Sequence, residues 1–165
     1  MIFLSNWAEP ASFRAVQSAR SEFEEDFPVA DTITIVPYFS ITVPDRTGAG
    51  VQILGALKEA GVSLIGMWGY PIKGKKSRID FVPVDPKAFA KAAKQLKLEV
   101  GPKQNAICWA GEDRHGAAAD AASKLAAAGI NIFAAQVICS GEGRFGGLIQ
   151  VAQEDVKKAA KALAK

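Results

Sequence analysis

Two short segments of this chain combine the residue types that can hold a small zwitterion. Asp45-Arg46-Thr47-Gly48-Ala49 recurs 68 positions later as Asp113-Arg114-His115-Gly116-Ala117. Each copy lies between a strand-like run and a helix-like run, so each opens a helix. The first-turn amides of a helix lack intrahelical acceptors and carry the positive end of its dipole, which suits a carboxylate. Gly48 and Gly116 remove the side chain where an anion would approach, so the N–H groups of Gly48, Ala49, Gly116 and Ala117 can face it. Asp45 or Asp113 can offer a counter-charge to an ammonium group, and Asn131 offers both donor and acceptor. The same pattern has a plainer use. Asp-x-x-Gly before a helix is also a capping turn in which glycine serves backbone shape alone. His115, the single histidine, either contacts a ligand, acts as a pH-sensitive element or is simply an exposed turn residue.

The elements that must position these turns repeat with them. At the same offset Leu57 matches Leu125, Ala60-Gly61 matches Ala128-Gly129, and Val62 matches Ile130. Two copies of one supersecondary unit follow. In the first copy Thr32–Val43 has strand composition, with Pro37 as an irregular or edge position. Val51, Leu54 and Leu57 fit the apolar face of a helix that stops at Gly61. Val62–Tyr70 is a strand, Lys73–Lys76 a hairpin turn, and Ser77–Val84 the returning strand. Asp85-Pro86 opens a second helix through Gln95, and Leu98–Val100 is extended. The second copy reads as strand 105–110, helix 117–128, strand 130–139, turn 141–143, strand 145–152 and helix 154–164.

This order, β-α-β-β-α with a further β after the first copy, predicts an α+β protein built of two ferredoxin-like βαββαβ units. Each has an antiparallel sheet with two helices on one face. The expected division is an N-terminal extension 1–31, a first unit 32–103 and a second unit 104–165. The chain stops short of a closing strand for the second unit. Thr32–Val36, at the repeat offset from 100–104, is a candidate to supply it, so that the units share strands about a pseudo-two-fold axis. The alternative is one long strand 32–43 and a three-stranded second sheet. Residues 1–31 read equally as an amphipathic appendage, a tail without fixed structure, or the product of a start codon placed too early.

Bulk properties narrow the function classes. The chain has 165 residues, 49% of them hydrophobic and 22% charged, which describes a soluble globular protein. A net charge of +3 is too small to imply a nucleic-acid or membrane partner. No run reaches the 18 or so apolar residues of a membrane span, and a cytoplasmic location is expected. Cys108 and Cys139 lack metal or redox spacing and are expected to be reduced core residues. Trp68 and Trp109 read as core or interface anchors, and the basic run Lys73–Arg78 as a solvated hairpin tip. Arg46 and Arg114 either stay solvated or pair across an interface; Asp45 and Asp113 are obvious partners, though surface pairs add little. The C-terminal helix packs alanine inward and shows lysine to solvent.

Strand, Val43-Pro44-Asp45-Arg46-Thr47-Gly48-Ala49, helix, then Ala60-Gly61-Val62-Ser63-Leu64 resembles the ACT domain, a small βαββαβ regulatory module. The second copy, Glu112–Ala117 followed by Ala128-Gly129-Ile130-Asn131-Ile132, is similar to that family's Gly-Ile-Asn-Ile hallmark. The resemblance covers about residues 33–164. It implies a non-catalytic protein that binds an amino acid or another small ligand between paired copies, without a cofactor or metal. By the same resemblance Asp113, His115, Gly116, Ala117, Asn131 and Ile132 form one ligand site, with Asp45, Gly48, Ala49 and Ser63 as its counterpart. Thr47 and His115 stand where the family has proline, and Ser63 where it has asparagine, so the pocket is expected to be better preserved around Asn131.

Three other classes compete. An RNA-binding module shares the element order, but Lys76–Val84 keeps only Phe81, and Arg144–Leu148 lacks a second aromatic. An enzyme needs a nucleophile–base pair, paired carboxylates, a metal cluster or a phosphate loop, and no such spacing is present. A structural dimerisation module without ligand is the principal alternative. A homo-oligomer, with a homodimer as its simplest form, is expected in either leading case, because ferredoxin-like sheets leave edges that must be paired.

Overall fold

The computed structural model describes residues 31–165; the expectations for the N-terminal extension otherwise lie outside the described residues. The elements in order are β1 (Thr32–Pro44), α1 (Ala49–Glu59), β2 (Leu64–Ile72), β3 (Lys76–Pro83), α2 (Pro86–Gln95), β4 (Gln104–Glu112), α3 (Ala117–Ala127), β5 (Ile132–Gly141), β6 (Arg144–Val151) and α4 (Val156–Leu163). The strands form one antiparallel sheet in the order β2-β3-β1-β4-β6-β5. The expected α+β fold of two ferredoxin-like units is therefore what the chain adopts.

β1 is continuous, yet its two halves serve different neighbours. Phe39–Pro44 pair with β3, and Thr32–Tyr38 pair with β4. The extended run expected at Leu98–Val100 shrinks to one bridge, Ile41 with Val100, beside a hydrogen bond of 2.8 Å from the Gly101 amide to the Ser40 carbonyl. Pro102 has no N–H to continue that ladder. Pairing resumes at Gln104, opposite Tyr38.

The helices lie on one face and bury two separate cores. Around the first unit these include Phe39, Ile41, Ile53, Leu57, Phe81 and Phe89. Around the second they include Ile107, Trp109, Leu125, Phe145, Ile149 and Val156. The repeat persists in the buried stripes, Ala49, Ile53, Leu57 on α1 and Ala117, Ala121, Leu125 on α3. A stripe at i, i+4, i+8 stays on one side of a helix. Val51, two residues from Ala49, falls on the other side and is 73% exposed, and Leu54 is also exposed, which corrects the apolar face expected for α1.

The sheet curls toward its helix-free face. There Val36, Tyr38, Trp68, Val82 and Ala106 make a third cluster, with Leu148 packed against it. The curl brings β2 against β6, where a Cβ on Gly66 would stand 3.0 Å from the Leu148 side chain. Trp68 and Trp109 are core residues as expected. Cys108 is half-buried, but Cys139 is exposed on edge strand β5, which corrects its assignment to the core. Among the described residues no helix is long and apolar enough to cross a membrane.

Candidate functional site

The two turns named from the sequence are built alike. Gly48 (φ 86°) and Gly116 (φ 82°) precede α1 and α3 in the left-handed region, where a Cβ is strained. Neither helix has a side-chain cap. By contrast α2 is capped by Asp85, whose carboxylate accepts from the Lys87 amide at 2.8 Å and the Ala88 amide at 3.2 Å. The amides of Ala49 and Ala117 donate at 3.3 Å to the carbonyls of Arg46 and Arg114, so they are already weakly engaged.

Each turn is docked on its own hairpin. The Asp45 amide donates to the Lys75 carbonyl at 3.0 Å and the Asp113 amide to the Gly143 carbonyl at 2.7 Å. The Asp45 carboxylate accepts from the Ser77 hydroxyl at 2.9 Å. The Asp113 carboxylate takes the Cys139 thiol hydrogen; this bond, burial and the nearby negative charge raise the thiol pKa, in that order. Both aspartates thus turn partly toward their hairpins. Arg114 pairs with Asp31 at 3.4 Å and Asp120 at 3.8 Å rather than with Asp113.

Ala49 and Ala117 are buried and Ile132 is half-buried, whereas Asp45, Gly48, Ser63, Asp113, His115, Gly116 and Asn131 are exposed. Within one chain the two sets do not meet. The first turn follows the C-terminal end of β1, whereas the second follows β4 at the N-terminal end of β1, since Thr32 faces Ala110. Thirteen residues of strand set the turns roughly 40 Å apart. Among the described residues no group of three His, Cys, Asp or Glu could hold a metal ion.

A second concentration of polar groups lies on the helix-free face. Asp80 is 0% exposed and accepts from the Arg78 Nε at 2.7 Å, from the Ser40 hydroxyl, and from the Tyr70 hydroxyl at 3.5 Å. Burial opposes the Arg78 charge, but the bond to Asp80 and its charge outweigh that and raise the guanidinium pKa. The Tyr38 hydroxyl donates to Gln104 Oε1, and burial is the leading reason its pKa is raised. These groups border a cavity of about 440 Å³ that also reaches Tyr70, Phe133 and Gln150. The sequence pointed to none of them. Arg78 read as part of a solvated tip, whereas alternation along β3 carries it into the concave face beside Asp80 and Val82. The signal available was Asp80 itself, a charge in the midst of a strand-like apolar run.

A family model described as the ACT domain matches residues 110–165. That stretch holds the second turn, Asn131, the β5–β6 hairpin and both of the unit's helices. Residues 110–165 are thus similar to an ACT domain. The whole two-unit fold also recurs. A Bacteroides thetaiotaomicron protein superposes with a TM-score of 0.69 at 17% identity, covering 79% of this chain and 88% of that one. The ligand-free regulatory subunit of aspartate kinase from Thermus thermophilus gives 0.58 at 15% identity, covering 82% and 95%. The corresponding Thermus flavus subunit gives 0.52 at 18%, again covering 82% and 95%. At these identities the likeness is one of fold. No curated protein matches the sequence. The first unit pairs the same turn with the same hairpin contact, Lys75 standing where the second unit has Gly143.

The RNA-binding alternative loses its aromatic. Phe81 is fully buried against the helices, as is Phe145 within its own core, so neither offers a stacking face.

Proposed function

We propose that this chain is a non-catalytic regulatory protein of the cytoplasm that senses a small molecule of amino-acid class at its strand-to-helix turns. The observation that carries this reading is the match to the ACT domain at 110–165, a stretch that contains Asp113, Gly116 and Asn131. The recurrence of the two-unit fold in regulatory subunits of aspartate kinase, each covered over 95% of its length, supports a regulatory role. The ligand's carboxylate meets the uncapped amides of α3, and Asn131 orients it. Because the turns of one chain lie at opposite ends of β1, a composite site needs a second copy of the chain, and the working form is a homodimer.

A thermal-shift screen of the purified chain against the twenty amino acids, repeated on Asn131→Ala and Asp113→Ala, tests this. A ligand at a hundred times its dissociation constant adds about 2.7 kcal/mol. The expected result is a rise of several degrees with one amino acid, lost in either variant.

A second reading, a dimerisation module without ligand, is favoured by the exposed apolar residues of the edge strands, including Ile65 (52%), Phe133 (66%) and Ile138 (69%). No shift with any amino acid, together with a dimer in sedimentation, decides for it.

A further inference from the structure

We propose that the cavity on the helix-free face is a second ligand site, for a small monocarboxylate with an apolar body. It is separate from the turns and does not rest on the amino-acid reading. Its lining includes Tyr38, Tyr70, Arg78, Gln104, Phe133 and Gln150. Its volume of about 440 Å³ falls within the range of small-molecule pockets, roughly 300–1,000 Å³.

The decisive residue is Gln150. It is 7% exposed and lines the cavity, and no acceptor among the described residues receives its Nε2 hydrogens. A buried amide donor left unmatched is unfavourable, and such groups are few in native proteins. Less than 1 Å² of Nε2 is open, and a turn of the carboxamide about its last bond brings it to an acceptor lodged in the cavity. The same space is bordered by Arg78, whose Nε is held at 2.7 Å by the fully buried Asp80. That fixes the plane of the guanidinium before any ligand arrives, as bidentate recognition of a carboxylate requires.

The lining also selects against a zwitterion. Among the described residues Arg78 is the one charged group of the lining, and no acidic residue there receives an ammonium group. Asp80 is sealed behind Arg78 at 0% exposure. Phe133, 66% exposed at the margin, supplies an apolar surface for the rest of the ligand. The favoured class is therefore a carboxylic acid without the α-amino group, in contrast to the ligand class of the turns.

Isothermal titration of the full chain with 3-phenylpropionate, 3-phenylpropanamide and phenylalanine tests the proposal. The acid is expected to bind with a dissociation constant of about 1 mM or tighter. The amide and the amino acid are each expected to bind at least about tenfold more weakly, as are Gln150→Met and Arg78→Lys with the acid. Asn131→Ala leaves acid binding unchanged. Because Gln150→Met removes an unmatched buried donor, its ligand-free unfolding midpoint stays at or above that of the unaltered chain, which separates lost binding from lost folding. Acid binding no tighter than that of the amide, unaltered binding in Gln150→Met, a lowered midpoint in that variant, or loss of binding in Asn131→Ala would each overturn the assignment.

Discussion

The Nε of Arg78 lies 2.7 Å from an oxygen of Asp80, and the two differ in burial, with side chains 31% and 0% exposed. The two halves of this pair should therefore not be equivalent on mutation. Removing Arg78 strands a fully buried carboxylate, with only the Ser40 and Tyr70 hydroxyls left to it. Neutralising Asp80 leaves a guanidinium that can still hydrate through its exposed side. Arg78→Ala is expected to destabilise by about 3 kcal/mol, at the lower edge for a broken buried pair because Arg78 itself is partly screened. Asp80→Asn keeps the shape and is expected to lose about 1–2 kcal/mol. Urea unfolding of both variants checks the order; equal losses would mean that burial does not control the pair.

The turn glycines and a helix glycine should respond oppositely to the same change. A Cβ added to Gly116 meets nothing within 4 Å, so crowding does not enter, but its φ of 82° belongs to the left-handed region. Gly116→Ala is expected to destabilise by about 1–2 kcal/mol. Gly55 lies inside α1, exposed and equally uncrowded, with an ordinary helical backbone. Gly55→Ala is expected to stabilise by about 0.5–1 kcal/mol. Denaturation midpoints of the two variants moving in the same direction would contradict this account of the turn.

The turn glycines Gly48 and Gly116 were legible in the sequence because repetition marks them, and so was the order of elements. The 68-residue offset aligns Asp45 with Asp113 and, in the structure, the Lys75 carbonyl with that of Gly143. Less legible was anything decided by where the sheet curls or ends. Val51 looked interior because apolar spacing does not say which side of a helix meets the sheet. Cys139 looked interior because it sits in an apolar run, but it lies toward the end of edge strand β5, just before a register irregularity at Cys139/Gly141. The cavity was hidden altogether. Tyr38, Arg78, Gln104 and Gln150 come from four different strands, and only the curl of the sheet puts them around one space.

The bond between the Cys139 thiol and Asp113 makes alkylation a reporter on the second turn. Asp113 raises the thiol pKa by hydrogen bonding first and by its charge as well. At pH 8 the exposed Cys139 is therefore less reactive than a free surface thiol, because the thiolate is the nucleophile. Asp113→Asn removes the negative charge and should accelerate iodoacetamide labelling of Cys139. Cys108 is half-buried, its thiol pKa raised by burial alone, and its labelling should not change. Mass spectrometry of the labelled peptides reads both sites in one experiment. An unchanged Cys139 rate in Asp113→Asn would show that the carboxylate does not hold the thiol.

The helix-free face should also set an alkaline limit on stability. Tyr38 and Tyr70 both have pKa values raised above the ordinary 10.0, burial being the leading cause and the Asp80 charge adding to it. In the unfolded chain each phenol ionises near its ordinary value, while in the fold it holds its proton to higher pH. The unfolded state thus loses protons first, and stability falls as pH rises between the unfolded and folded values. The contribution is complete below pH 10 and declines above it. Tyr38→Phe removes the more buried of the two ionisable groups, together with its bond to Gln104. That variant should be less stable at pH 8 and should lose less stability than the unaltered chain between pH 9 and pH 11. Chemical denaturation across that window measures both slopes, and parallel slopes would show that the Tyr38 phenol is no more protected in the fold than in the open chain.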